Sequence, residues 1–162
     1  MSFIKTVTEC WDVNRHQTLG LIDAIEKLPN PREAIAWRPG PGRAHIAWQL
    51  MHIGITEEVF ATERLLGQAP EFSELVPRFQ GGSTPDDDIP ELSQIREVLE
   101  TSRQHLLNTV STFSDADLET IPEPLREKNW NLGMVLRILN WHEGHHQGQG
   151  HLTLNLYKAA RG

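Results

Sequence analysis

Several things are missing from this chain. It has one cysteine, Cys10, so no disulfide can form within it. It has no run of basic residues, and its formal net charge is -7. That balance argues against partners held through phosphate contacts, nucleic acids first among them, and equally against an anionic membrane surface. No stretch approaches the ~18 consecutive apolar residues of a membrane span. The start, Met1 to Trp11, lacks a basic segment followed by an apolar one, so it does not read as a signal peptide. A cytoplasmic protein is the default expectation. Strand-like alternation and internal repeats are also absent.

What is present fits one globular domain over residues 1–162. The apolar period is helical almost throughout. A first segment, about Ser2 to Leu28, carries Ile4, Val7, Trp11, Asn14, Thr18, Leu21, Ile25 and Leu28 on one stripe, and Pro29, Asn30 and Pro31 stop it. Arg38-Pro39-Gly40-Pro41-Gly42 forces a loop. A second segment, about Arg43 to Leu66, carries His45, Gln49, His52, Thr56, Val59 and Leu66, with Gly67 as its stop. Gln68 to Pro90 holds four prolines and two glycines, too broken for helix and too long for a tight turn, so it reads as a crossover. Asp86-Asp87-Asp88 sits where the positive end of a following helix would favour negative charge. A third segment, about Pro90 to Phe113, presents Leu92, Ile95, Leu99, Ser102, Leu106, Thr109 and Phe113. A fourth, about Leu132 to Ala159 with Asn131 as cap, presents Leu132, Val135, Leu139, His142, His146, Gln149, Thr153 and Leu156. The expected fold is all-α, a four-helix bundle with a long crossover between its second and third helices.

Each stripe is apolar at its ends and polar in its middle. Burying polar groups without partners costs ~1–3 kcal/mol each, so four helices sharing the same interruption point to one common polar site. His142 and His146 are four apart and share a helix face, where two imidazoles can reach one ion. His52 supplies a third nitrogen from another helix. Three neutral histidines leave a coordination position open, the mark of a catalytic rather than a structural site. His145 is the main competitor as a ligand. His45 reads as a cap or pocket residue, His16, His105 and His151 as surface or boundary residues, and Cys10 as a small packed apolar group.

Residues 142–146, His-Glu-Gly-His-His, also match the H-E-x-x-H pattern of zinc peptidases, in which Glu143 would be a general base. No Asp or Glu follows in Gln147 to Gly162 to complete that site. The extended pattern fails at Gln149, and strands to hold a peptide are missing. The peptidase reading is therefore the weaker one.

Taken in order, three stretches resemble the DinB-like metal-dependent bundles, which include the YfiT-type thiol transferases. They are Trp37-Arg38-Pro39-Gly40-Pro41-Gly42, then Ile46-Ala47-Trp48-Gln49-Leu50-Met51-His52-Ile53, then His142-Glu143-Gly144-His145-His146-Gln147-Gly148-Gln149. The resemblance spans nearly the whole chain. It implies an up-down-down-up bundle, often a homodimer, with one divalent ion (zinc, nickel, manganese or iron) on His52, His142 and His146. Family members often have Ser or Thr where this chain has His45. The resemblance further implies a low-molecular-weight thiol as co-substrate and a small-molecule electrophile as substrate. Asn14, Thr18, Gln49, His145 and Gln149 would line the pocket or orient ligands, and Glu143 would accept a proton. The main expectation is a metal-dependent thiol transferase. Its rivals are a non-enzymatic metal-binding or stress-related bundle and, behind that, a metal-dependent hydrolase. Gly144 and Gly148 would admit a neighbouring helix, within the bundle or in a dimer.

Overall fold

The computed structural model describes residues 2–161, and among them there are only helices and loops. Four helices are long: α1 (Phe3–Glu26), α3 (Ile46–Val59), α5 (Leu92–Val110) and α6 (Leu132–Arg161). Two short ones were not expected: α2 (Pro31–Ala36) lies between the first segment's stop and the Arg38–Gly42 loop, and α4 (Val76–Phe79) lies within the crossover. Both begin where proline is tolerated, in a first turn whose N–H groups have no helical partner.

The termini of the long helices follow local chemistry. Ser2 Oγ accepts the Lys5 N–H at the start of α1. Asn131 Oδ1 accepts the Met134 N–H at 2.9 Å and caps α6, as its sequence position indicated. His45 caps α3: its Nδ1 accepts the Trp48 N–H at 3.0 Å, and its Nε2–H donates to the Asp86 carbonyl at 2.9 Å. An imidazole here does the work of a Ser or Thr. α3 runs straight into a π turn, Phe60–Arg64, and the chain then leaves at Gly67, whose φ of 67° suits a residue without a side chain.

Contacts between neighbouring helices keep a consistent sense. From α1 to α6 they advance together, Asn14 with Asn140 and Leu21 with Gly150. The same holds from α3 and the π turn that continues it to α5, Gly54 with Val98 and Ala61 with Thr109. Between α3 and α6 they run in opposite senses, His52 with His142 and Gln49 with His146. The long segment between α3 and α5 carries the chain back so that those two can lie parallel. Asp86, Asp87 and Asp88 do not serve the start of α5. They bind arginines that tie this segment down: Arg78 with Asp86 and Asp88, and Arg38 with Asp87.

The apolar core forms two clusters. One gathers Leu21, Ile25, Ile46, Leu50, Phe79 and Ile95, the other Val7, Trp11, Leu106, Leu132, Val135 and Leu139. Between them lies a belt of buried polar side chains, including Arg15, Thr18, His52, Glu57, Arg103 and Glu143. The close helix approaches occur at glycines other than those expected. A Cβ on Gly150 would lie 2.6 Å from Leu21 Cδ2, and one on Gly54 would lie 2.8 Å from Val98 Cγ1. Gly144 faces only Asn14 across ordinary contact distance, and Gly148 faces open space. Cys10 is exposed rather than packed, because Trp11 takes the inward position beside it. Leu156, placed on the inward stripe of the last helix, is likewise exposed, and Leu154 and Tyr157 point inward instead.

Candidate metal centre

His52 comes from α3, and His142 and His146 come from successive turns of α6. Because α3 packs against α5 and α6, its side chains are buried on nearly every face, and His52 is only 6% exposed. One nitrogen from each of the three rings lies within 4.8 Å of the others. The His52 and His142 Nε2 atoms are 3.0 Å apart.

The outward nitrogens fix how the rings present themselves. His52 Nδ1–H donates to the Phe79 carbonyl at 2.6 Å, and a carbonyl oxygen can only accept. The Nε2 lone pair of His52 therefore faces inward. His146 Nδ1–H donates to Gln49 Oε1 at 2.5 Å, which leaves its Nε2 free in the same way. Metal-bound histidines are typically oriented by such an outer acceptor. The Trp48 ring stacks on His52, with ring centroids 4.6 Å apart, and limits how far that imidazole can turn. The donor set fits a divalent ion: three ring nitrogens within 4.8 Å of one another need a shared cation or a proton between them.

Electrostatics keep the rings neutral. Burial first, then the charges of His52 and His145, push His142 from its ordinary 6.5 down to about 3. Burial first, then the neighbouring histidines, push His146 down to about 3 as well. Burial also lowers His52, against the Phe79 carbonyl, which acts in the opposite sense.

A cavity of about 420 Å³ opens onto all three histidines. Ile55, Val59, Phe60, Trp130 and Ile138 give it apolar walls.

The other expected site residues divide. Gln49 touches His146 directly. His145 is exposed, stacks on Trp141 and pairs with Gln149, whose Nε2 lies 2.7 Å from His145 Nε2. That ring is engaged outside the cluster. Asn14 Nδ2 donates to the backbone and side-chain oxygens of Asn140, and Thr18 Oγ1 lies 2.8 Å from Glu143 Oε1. Both lie on the α1 side of α6, away from the histidines.

Glu143 departs furthest from expectation. One residue on from His142 is about 100° round the helix, and its carboxylate is buried among cations rather than beside the imidazoles. It accepts from Arg15 Nε at 2.8 Å and from Arg103 Nη2 at 2.5 Å. Its oxygens are engaged by those arginines and Thr18, so the geometry does not present it as a base at the metal.

Sequence reasoning missed this cluster. Arg15, Glu57, Arg103 and Glu143, one from each long helix, form a sealed quartet. Arg15 Nη2 donates to Glu57 Oε2 at 2.7 Å, and Arg103 closes the ring to Glu57. Burial alone would raise Glu57, but the Coulombic pull of Arg15 and Arg103 outweighs it and holds the carboxyl below its ordinary value. A signal was present. Each member directly follows a polar residue of a stripe: Asn14, Thr56, Ser102 and His142. Two arginines and two glutamates at equivalent places sum to zero charge.

No helix among the described residues is long and apolar enough to cross a membrane. No curated protein matches the chain. The sequence model of the DinB superfamily matches residues 11–149, a span that holds all three histidines and reaches from α1 into α6, and the chain belongs to that superfamily.

Proposed function

We propose that the protein is a metal-dependent enzyme that joins the sulfur of a small thiol to an electrophilic carbon, releasing the thiol proton and the carbon's leaving group, in the pocket beside His52, His142 and His146. One observation carries this reading: three inward-facing imidazoles, two of them oriented from behind by oxygen acceptors, border an open cavity with apolar walls. The same contacts support an up-down-down-up bundle, since α1 with α6 and α3 with α5 advance together and α3 opposes α6.

The three histidines would hold the ion, and no carboxylate joins them. Bound there, a divalent ion supplies Lewis acidity that lowers the pKa of a coordinated thiol below its usual ~8.5. The chain's own groups do the rest. Phe79 and Gln49 hold two rings in the donor tautomer. The apolar walls exclude water from the reacting sulfur and favour an electrophile with an apolar body.

The assay is consumption of the electrophile monochlorobimane by cysteine, with the protein loaded in turn with zinc, nickel and manganese. Turnover that disappears on chelation and in His146→Ala is expected. Equal rates with and without metal would overturn the enzyme reading. The 3.0 Å Nε2···Nε2 approach of His52 and His142 also suits a direct hydrogen bond in a metal-free structural cluster. That reading calls for a protein that takes up no metal at all.

A further inference from the structure

The cavity continues past the histidines along the last turns of α3, and its far part is unlike its near part. Arg64 and Lys128 both line it, in a chain whose net charge is -7. Glu63 is the one acidic residue in the lining, and it pairs with Arg64 at 3.2 Å. Lys128 makes no ion pair among the described residues, and its Nζ lies 4.8 Å from the centre of the Trp130 ring. Two cations against one anion leave this end of the pocket positive before any metal is counted.

Two departures from regular backbone put these cations there. Arg64 is twelve residues after His52, so in an unbroken α-helix it would point roughly 120° away around the axis. The π turn at Phe60–Arg64 accommodates one extra residue. That moves Arg64 to where residue 63 would otherwise point, roughly 20° from the direction of His52. Lys128 ends a 3₁₀ turn, Glu123–Lys128, and the chain then reverses at Asn129, whose φ is 53°. Asn tolerates that left-handed conformation better than most residues. The reversal brings Lys128 and Trp130 together on the cavity wall, where Trp130 stacks on Phe60 with ring centroids 6.5 Å apart. With one residue taken up by the π turn, the backbone span from His52 to Arg64 along the axis is about 16 Å, longer than a compact ligand.

We propose that this pocket takes an elongated amphiphile with an oxyanion, such as a carboxylate, at the end remote from the histidines. Arg64 and Lys128 bind that group, and Phe60, Trp130 and Ile138 bind the apolar body. The proposal rests on the cavity being the substrate site, and its test does not depend on the metal.

Titration calorimetry at low salt with octanoate and with octanol, on metal-free and zinc-loaded protein, provides that test. The wild type should bind octanoate about tenfold or more tightly than octanol in both metal states, because charge-assisted hydrogen bonds exceed neutral ones. Arg64→Gln/Lys128→Gln should abolish that preference while leaving the zinc content and melting temperature unchanged. Equal binding of octanoate and octanol, or binding of neither, would overturn the proposal. So would an octanoate preference that survives in the double variant, since the carboxylate would then sit elsewhere. A wild type that takes up no zinc yet prefers octanoate would count against the metal reading and for the anionic subsite.

Discussion

His142 and Glu143 are adjacent in sequence, yet they belong to opposite kinds of polar cluster. The histidine side is neutral, half open and bordered by a cavity. The glutamate side is fully charged, closed and paired atom for atom with two arginines. One helix supports both because a step of one residue turns the side chain by about 100°. Lone pairs beside open space can exchange a ligand. Carboxylate oxygens already bound to guanidinium cannot do so without breaking the bundle. Ligand exchange is open to the first cluster, whereas the second ties together all four long helices.

The largest effect should come from breaking the closed side. Glu143→Ala or Arg103→Ala strands buried charge and should cost about 3–5 kcal/mol in urea unfolding, a large share of a typical domain's stability of ~5–15 kcal/mol. His142→Ala in metal-free protein should cost about 1 kcal/mol or less. Comparable losses in the two variants would erase the distinction.

Acid should reach the open side first, because Arg15 and Arg103 hold Glu57 below its ordinary value. His142 and His146 ionise near 6.5 when unfolded and at about 3 when folded. The unfolded chain therefore binds their protons first. The stability they permit is fully present above about pH 6.5 and is lost as pH falls toward about 3. The slope reaches about 1.4 kcal/mol per pH unit for each imidazole. Chemical denaturation of metal-free wild type and the His142→Ala/His146→Ala variant should show a shallower dependence in the variant across that window. Parallel curves would contradict the assignment.

Smaller changes sharpen the contrast. Gln49→Leu removes the acceptor behind His146 and should weaken zinc binding about 10–100-fold in competition with a chelating dye. An unchanged affinity would show that His146 orients itself. His45→Ala should cost about 1 kcal/mol through the lost cap, His45→Ser much less, and neither should alter metal content. Loss of metal in either would place His45 at the centre.

The sequence was most legible where periodicity and spacing carry the signal. The four long helices, the Asn131 cap, the Gly67 stop and the convergence of His52, His142 and His146 all follow from residue type and register. The quartet was hidden because Arg15 and Arg103 stand one position off the apolar stripes, where a charged side chain ordinarily faces solvent. Only their three-dimensional meeting with Glu57 and Glu143 makes burial affordable. For Glu143, spacing fixes a direction about 100° from His142, but the arginines it meets there come from α1 and α5 and leave no mark in the motif. The π turn had no sequence signature, because an extra residue in a helix is stabilised by the pocket and loop it faces rather than by its own propensity.

The metal reading requires His52, His142 and His146 together to hold one divalent ion. The decisive experiment is elemental analysis of purified wild type beside His146→Ala, each incubated with zinc and then exhaustively dialysed. About one ion per chain is expected in the wild type and almost none in the variant. Equal metal content in the two proteins, or none in either, would contradict it.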